Sequence, residues 1–223
     1  MQAFGNGDTK LEAIMALSAE TLKNESEADA KDGKKEKKSI EDRMMATRQV
    51  LLAGAVNTAL AKDINQKLLA LESDDSDAPI TLMVNSPGGS VTDGFSIYDT
   101  IRFIRPPVRI VCAGLCASIA TIILIATPKQ LRLSLPNTRF LIHQPLIPGQ
   151  VFGPASDLEI TANEILKTRA KINEMLAEAC GQPLDKVTMD TQRDYWLTAD
   201  EAITYGLISG VVVHRRDLDG LTL

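Results

Sequence analysis

The sequence predicts an α/β domain whose parallel strands are connected by helices. Short apolar runs alternate with stretches in which apolar residues recur at helical spacing. Glycine or proline separates most of these segments, and three strand–turn–helix units follow one another. Because parallel strands need a crossover between them, this order favours right-handed β-α-β connections. A chain of 223 residues is within the range of one such domain.

The first half of the chain contains the three units, after a charged N-terminal stretch. Each unit is a run rich in valine, isoleucine or leucine, followed by a turn and then a helical pattern. The predicted strands are 49–53, 80–84 and 108–112, and the predicted helices are 59–71, 91–104 and one that begins near Ala117.

The second half contains two short predicted strands, 130–134 and 139–142, and a helix over 155–180. Ser156 and Glu159 have the spacing of a capping box, and Gly181 is a typical C-terminal stop. At 1.5 Å per residue the helix is about 40 Å long. Since one domain of this size cannot cover it, we expect it to project and to contact another subunit.

Composition excludes several classes of function. A net charge of −5 gives no basic face for nucleic acid, and no apolar stretch is long enough to span a membrane. Three cysteines are too few for a disulfide framework, so we expect Cys112 and Cys116 to be buried thiols. With only two histidines, no metal site or cofactor is expected. The N-terminus lacks a signal or transit pattern, which predicts a cytoplasmic protein.

Residues 1–42 differ in composition from the rest of the chain. The run 31–38 is dominated by lysine and acidic residues, which is typical of a solvated linker. The hypothesis is therefore a charged, mobile extension over 1–42 and a folded domain over 43–223, with a basic contact patch in the extension as the alternative.

Two residues are candidates for acid–base or nucleophilic chemistry. His143 ends a predicted strand, where its ring could point into a cleft or serve as a structural residue. Ser118 lies between a predicted strand and an apolar helix. It is either an ordinary N-cap or a nucleophile at the positive end of the helix dipole.

Two further segments could complete a site. Residues 85–90 hold consecutive glycines after a strand, a pattern that can present N–H groups to an oxyanion or form a plain turn. The Walker A and G-x-G-x-x-G phosphate loops are both absent from the sequence. Asp190 and Asp194 are four residues apart, so one could orient His143 while the other pairs with an arginine.

Together these segments closely resemble the ClpP family of caseinolytic serine proteases over about Arg43 to Val213. The resemblance is carried by N-S-P-G-G-S-V-T at 85–92, I-Y-D-T at 97–100, A-S at 117–118, L-P-N at 135–137, I-H-Q-P-L at 142–146 and D-T-Q-R-D at 190–194. Residues 198–202 and 205–208 also fit the family pattern.

The resemblance implies roles for particular residues. Ser118 corresponds to the nucleophile, His143 to the general base, and Asp194, rather than Asp190, to the orienting acid. The oxyanion donors correspond to the backbone N–H groups of Gly89 and Ile119. The implied activity is a serine endopeptidase that cleaves unfolded polypeptides and peptides without a metal or cofactor.

The resemblance also implies a fold and partners. The fold is a crotonase-like spiral of β-β-α units with a protruding long handle helix. The assembly is heptameric rings of this chain or a ClpP paralogue, stacked as a tetradecamer, and ATP would act through an AAA+ Clp unfoldase.

The chain departs from its relatives at 147–154, where prolines interrupt a usually glycine-rich strand, and over 1–42. Two alternatives follow: a weakly active or inactive ring subunit that assembles with an active paralogue, and an acyl-CoA-handling enzyme of the same superfamily fold.

Overall fold

A computed structural model describes residues 39–146, 149 and 152–218. The predicted mobile extension over 1–42 lies outside these residues except for its last four positions. Half of the departing segment 147–154 lies outside them as well. From Ile40 onward the described residues belong to one compact unit.

The unit contains the predicted strands and helices in the predicted order, together with a helix before the first strand and several short elements after Cys180 that were not predicted. The helices are α1 (Ile40–Ala46), α2 (Thr58–Asp74), α3 (Val91–Phe103), α4 (Ile119–Leu124), α5 (Ala155–Cys180), α6 (Leu184–Asp190) and α7 (Ala199–Tyr205). The strands are β1 (Gln49–Ala53), β2 (Ile80–Ser86), β3 (Val108–Ala117), β4 (Arg132–Ser134), β5 (Arg139–Ile142), β6 (Tyr195–Leu197) and β7 (Gly210–Val211). Two 3₁₀ helices cover Lys129–Leu131 and Arg215–Leu218.

The sheet is mostly parallel and is built around β3. Its main path runs β1-β2-β3-β4-β7, and every pair along it is parallel. β3 pairs with β4 through Ile110–Cys112 and with β5 through Leu115–Ala117. β6 extends β5 in the antiparallel direction. The central strand β3 therefore has different neighbours at its two ends.

β3 is longer than the predicted strand 108–112. Gly114 was expected to end the strand, but its φ of +75° instead occurs within β3, between the segment that faces β4 and the segment that faces β5. Glycine tolerates this backbone conformation without a steric penalty. The predicted strand 130–134 is also wrong at its start, because a 3₁₀ turn covers Lys129–Leu131.

The main hydrophobic core lies between the sheet and the helices that follow its strands. It is formed by alternate residues of β1, β2 and β3 together with the inward faces of α2, α3 and α4, and every residue of α4 is buried. Cys112 and Cys116 are free buried thiols, as predicted. A smaller cluster of Val111, Leu133 and Val212 lies apart from this core.

Helix α5 has the predicted bounds, Ala155–Cys180, and its buried residues all lie near its C-terminal end. Gly181 ends it with a φ of 68°, which confirms the predicted stop. The predicted capping box is wrong. Pro154 takes the N-cap position without a side-chain hydrogen bond, so Ser156 lies inside the first turn, where its Oγ donates to the Asp157 Oδ1 at 3.4 Å.

Candidate active site

The parallel pairing of β3 with β5 brings Ser118 and His143 to the same edge of the sheet. Ser118 follows β3 and His143 follows β5, and the register pairs Ala117 with Leu141. The Ser118 N–H donates to the Leu141 carbonyl at 2.8 Å, which extends the pairing by one residue. The two side chains line a common pocket. Both positions lie at the carboxyl ends of parallel strands, where α/β proteins place their sites.

Ser118 has an unusual backbone conformation, with φ 56° and ψ −127°. It occupies the N-cap position of α4, yet its side chain makes no capping hydrogen bond. The alternative that the Ser118 side chain serves as an ordinary helix cap is therefore wrong. The Thr121 N–H and Thr121 Oγ1 both donate to the Ser118 carbonyl, at 2.9 and 2.7 Å, and hold the turn in place. A non-glycine residue at positive φ is strained, and such residues cluster at active sites.

The glycine loop after β2 packs directly on the Ser118 turn. Gly88 has φ +88°, and a Cβ on it would lie 2.6 Å from both the Ala117 carbonyl oxygen and the Ser118 Cβ. Gly89 has φ +151°, and a Cβ there would overlap the Val56 carbonyl oxygen. Only glycine fits at either position, so the close approach of this loop to Ser118 explains the paired glycines.

Two backbone N–H groups beside Ser118 are available to a ligand. In the region that the structure describes, neither the Gly89 N–H nor the Ile119 N–H donates a hydrogen bond. Their neighbours are occupied: the Gly88 N–H donates to Ser86 Oγ at 3.1 Å and the Ser90 N–H to the Val56 carbonyl at 2.9 Å. Free N–H groups next to a serine are the arrangement that an oxyanion hole requires.

His143 and Asp194 form a pair on the other side of the pocket. The His143 Nδ1 lies 3.4 Å from the Asp194 Oδ1; the imidazole is 14% exposed and the carboxylate 64% exposed. Among the described residues no hydrogen bond joins the Ser118 hydroxyl to the His143 ring. Hydrogen bonds between a nucleophile and its base are often long or poorly aligned until substrate binds.

Gln144 fixes the end of β5 to the loop that carries Asp194. Its N–H donates to the Thr191 carbonyl at 2.7 Å, and its Nε2 donates to the Gln192 carbonyl at 2.8 Å. The antiparallel pairing of β5 with β6 closes the same loop on its other side. His143 and Asp194 therefore lie on two segments that are joined on both sides of the pair.

Asp190 pairs with residues other than His143. It is the last residue of α6, and its Oδ2 accepts from Lys186 Nζ at 2.5 Å and from the Tyr205 hydroxyl at 3.0 Å. The expectation that it pairs with an arginine is wrong, because lysine lies one helical turn earlier. Burial, together with the hydrogen bond to Asp190, raises the pKa of Tyr205 well above its ordinary value. Asp194 lies beyond the end of α6, so the two aspartates do not share a helix face.

Helix α5 supplies two side chains of the pocket that the sequence analysis did not identify. Ile172 and Leu176 are buried and line the pocket with Ser118 and His143. Between them in sequence, Asn173 accepts from the Thr191 hydroxyl at 3.0 Å. The helical spacing of Ile172 and Leu176 was the available signal, but nothing in it distinguished a pocket wall from a subunit contact.

Metal-binding and membrane-spanning features are both missing from the described residues. No group of three or more histidine, cysteine or acidic residues in that part of the chain is placed to hold a metal ion. No helix among the same residues is both long enough and apolar enough to cross a membrane.

Comparison with known proteins identifies the family. A family model described as Clp protease matches residues 32–215. The chain is 47% identical over 181 residues to the ATP-dependent Clp protease proteolytic subunit 3 of Rhizobium johnstonii, covering 81% of this chain and 92% of that protein. It is 46% identical over 176 residues to the proteolytic subunit 2 of Treponema pallidum, covering 79% and 87%.

Solved structures give the same result. A point mutant of ClpP1 from Listeria monocytogenes matches with a TM-score of 0.73 and 42% identity, covering 82% of this chain and 100% of that one. The predicted fold class and the predicted family are both confirmed. The chain belongs to the Clp protease family, and it is a peptidase of the ClpP type.

Proposed function

We propose that the chain cleaves peptide bonds by a serine mechanism, with Ser118 as nucleophile, His143 as general base and Asp194 as the acid that orients the base. One observation carries this assignment: Ser118 and His143 line one pocket, and Asp194 lies 3.4 Å from the far side of the same histidine. A catalytic triad is defined by its geometry: the acid contacts the base, and the base faces the nucleophile. The order of the three residues along the chain does not matter.

The chemical steps follow from these positions. The His143 Nε2 takes the Ser118 proton as the Oγ attacks the carbonyl carbon, and Asp194 holds the proton on Nδ1 and stabilises the imidazolium. The imidazolium then donates its proton to the leaving amine, which releases the first product and leaves an acyl-enzyme. Water, activated by the same histidine, hydrolyses the ester and restores Ser118.

The oxyanion that forms in each step needs hydrogen-bond donors. We assign that role to the N–H groups of Gly89 and Ile119, which have no acceptor within the described residues. Gly88 contacts both Ala117 and Ser118, so the loop that carries Gly89 is fixed against the nucleophile. Donors that are held in place before the reaction stabilise the transition state by roughly 3–4 kcal/mol each.

The substrates we propose are unfolded polypeptides and peptides in extended form. The relatives are named as proteolytic subunits of ATP-dependent proteases. No Walker A or G-x-G-x-x-G loop occurs in this sequence, so we assign ATP hydrolysis to a separate AAA+ Clp unfoldase. The proposed compartment is the cytoplasm.

We propose that the chain assembles into heptameric rings that stack as a tetradecamer. Support comes from α5, a helix of 26 residues whose Ile160 and Leu166 side chains are 62% and 57% exposed. Apolar side chains left uncovered on a projecting helix are typical of a subunit interface. Sedimentation velocity of the full chain tests the assembly, and a boundary that contains monomer alone would contradict it.

Neither alternative drawn from the sequence is favoured. An inactive ring subunit would not need Ser118, His143 and Asp194 in one arrangement, and the relatives are named as proteolytic subunits. An acyl-CoA-handling enzyme is inconsistent with membership of the Clp protease family.

Covalent labelling tests the nucleophile. The assembled protein is treated with a fluorophosphonate, and the modified residue is located by mass spectrometry. We expect one label, at Ser118, with its rate lowered at least about 10³-fold in His143→Ala. Ser73→Ala, which removes an exposed serine of α2, should label normally. Labelling at another residue, or no labelling of the assembled protein, would reject the proposal.

A further inference from the structure

Thr121 makes two hydrogen bonds to the turn that carries Ser118. It is the third residue of α4, it is 1% exposed, and it lines the Ser118 pocket. Its Oγ1 donates to the Ser118 carbonyl at 2.7 Å, and its backbone N–H donates to the same oxygen at 2.9 Å. Threonine in a helix often donates to a carbonyl three or four residues earlier. The importance of this bond therefore depends on the carbonyl that it holds.

The Ser118 carbonyl and the Ile119 N–H are the two ends of one peptide unit. Because that unit is planar and trans, its carbonyl and its N–H point in opposite directions. A rotation that moves the carbonyl turns the N–H through the same angle. The Ile119 N–H is one of the two donors assigned above to the oxyanion hole. A hydrogen bond to the Ser118 carbonyl therefore sets the direction in which this donor points.

The side chain of Ile119 is fixed by close packing. It is 2% exposed, and it lies against Gly94 in the interior of α3. A Cβ on Gly94 would overlap the Ile119 Cγ1, so the two helices approach too closely there for a larger residue. Glycine inside a helix is otherwise unfavourable, and this contact explains its presence. With Ile119 held in this way, the freedom that remains is rotation of its peptide about the line between the two Cα atoms.

Backbone strain at Ser118 favours that rotation. Its φ of 56° and ψ of −127° are a conformation that residues other than glycine rarely adopt. A change toward an ordinary conformation would rotate the peptide and redirect the Ile119 N–H. It would also take away the acceptor of the Thr121 hydroxyl, which in the described part of the chain is the Ser118 carbonyl alone. Since a buried hydroxyl without a partner is unfavourable, Thr121 opposes the rotation.

The other donor, the Gly89 N–H, is held by different contacts. The loop that carries it packs on the Ser118 turn through Gly88, where a Cβ would lie 3.1 Å from the Ile119 nitrogen. Two donors that bind one oxygen must keep a fixed relative orientation. The Gly88 contact fixes how close the two segments lie, and the Thr121 hydrogen bonds fix the direction of the second donor.

We propose that Thr121 is a positioning residue for the oxyanion hole. Its hydroxyl acts through the Ser118 carbonyl and holds the Ile119 N–H toward the oxyanion, a role that rests on the serine mechanism proposed above. It transfers no proton and donates no hydrogen bond to the substrate. Two hydrogen bonds that reach one carbonyl from different directions restrain its rotation more than one does, so the backbone N–H of Thr121 does not suffice alone.

Two variants of Thr121 test this role. Thr121→Val keeps the shape of the side chain and removes the hydroxyl, whereas Thr121→Ser keeps the hydroxyl. We measure kcat and KM for a fluorogenic peptide with the full-length assembled protein, per active site titrated with a fluorophosphonate. Thr121→Val should lower kcat about tenfold with KM unchanged, a smaller loss than the roughly 10²–10³-fold that follows removal of a donor. Thr121→Ser should stay within about threefold of the unmutated protein.

Thr127→Val is the matched control. Thr127 is also buried, and its hydroxyl donates to the Val108 carbonyl at 2.6 Å, but it does not line the Ser118 pocket. This variant should lose stability as Thr121→Val does and keep its kcat. Normal kcat in Thr121→Val, equal losses of kcat in the two valine variants, or an equal loss in Thr121→Ser would overturn the proposal. If Thr121→Val does not assemble, Thr121→Ala removes the same hydroxyl and should show the same loss.

A peptide aldehyde tests the oxyanion hole directly, because its adduct with Ser118 places an oxygen where the oxyanion forms. Its inhibition constant should rise in Thr121→Val by the factor by which kcat/KM falls, and an unchanged constant would contradict the role. Failure of this role differs from failure of the serine mechanism. If the fluorophosphonate labels Ser118 while Thr121→Val keeps its kcat, the positioning role alone is wrong. If Ser118 is not labelled in the unmutated protein, both are wrong.

Discussion

The two halves of the candidate active site are held by different kinds of contact. Ser118 lies between Ala117 and Ile119, each 2% exposed, and against Gly88, with the turn hydrogen-bonded to Leu141 and Thr121. Asp194, in contrast, is 64% exposed and lies in a loop. That loop is attached by two hydrogen bonds to Gln144 and by the pairing of two short strands.

This difference indicates how each half responds to change. A close-packed core transmits a small displacement directly, because its neighbours cannot move aside. An exposed loop can adjust, so the loss of one contact there is partly absorbed. We therefore expect the nucleophile side to tolerate almost no added volume, and the base side to lose activity in proportion to the contacts removed.

Among variants that keep both Ser118 and His143, the largest effect should come from Asp194→Asn, which removes the charge that orients and stabilises His143. We expect kcat for a fluorogenic peptide to fall about 10³-fold, because the amide favours the wrong tautomer of the imidazole. Asp190→Asn is the matched control, and its kcat should change by less than about threefold, with a loss of roughly 1 kcal/mol in unfolding free energy from the Lys186 contact. Equal losses of kcat in the two variants would reassign the acid.

A smaller effect should follow Gly88→Ala, which acts on the nucleophile side. The new Cβ would lie 2.6 Å from Ser118 Cβ, so the turn must shift by close to an ångström. A displacement of that size costs about 10²-fold in rate.

Gly54→Ala separates this contact from simple backbone strain. Gly54 has a similar φ, +94°, but a Cβ there meets nothing within 4 Å. This variant should lose roughly 1–2 kcal/mol of stability and keep normal kcat. Parallel measurements of kcat and thermal unfolding decide the point, and full activity in Gly88→Ala would refute the packing argument.

The smallest effect should come from Gln144→Met, which keeps the length of the side chain and removes one hydrogen bond to the Gln192 carbonyl. The backbone bond from Gln144 to Thr191 remains. We expect kcat to fall about threefold with KM unchanged, since one exposed hydrogen bond contributes about 1 kcal/mol or less. A loss as large as that of Asp194→Asn would show that the loop is less adaptable than this account holds.

Much of the fold was accessible from the sequence because its signals are local. The strand over 49–53 and the helix over 155–180 were predicted with their observed bounds, since each is a periodic run that ends at a glycine. The extension of β3 beyond Gly114 was missed because it depends on pairing with β5, a contact that no local pattern encodes. The capping box at Ser156 failed for a similar reason, because Pro154 set the start of the helix two residues earlier.

The candidate site also contains residues with a local sequence signal and residues without one. Gly88, Gly89 and Ser118 have local signals, in paired glycines and in a small-residue turn before an apolar helix. The proximity of His143 and Asp194 depends on the pairing of β5 with β6, and the sequence offered only family resemblance for it. The position of Ile172 and Leu176 in the wall of the pocket depends on how α5 packs, which no local pattern encodes.

The central claim is that the Ser118 turn and the His143–Asp194 pair act as one catalytic unit. The most direct test is kcat of Ser118→Ala, His143→Ala and the double variant, purified from a host that lacks other Clp peptidases. Each single variant should lose about 10⁴-fold or more, and the double variant should be no slower than the singles within about threefold. A loss in the double variant that equals the product of the two separate losses would show that the residues act independently, and would contradict the account.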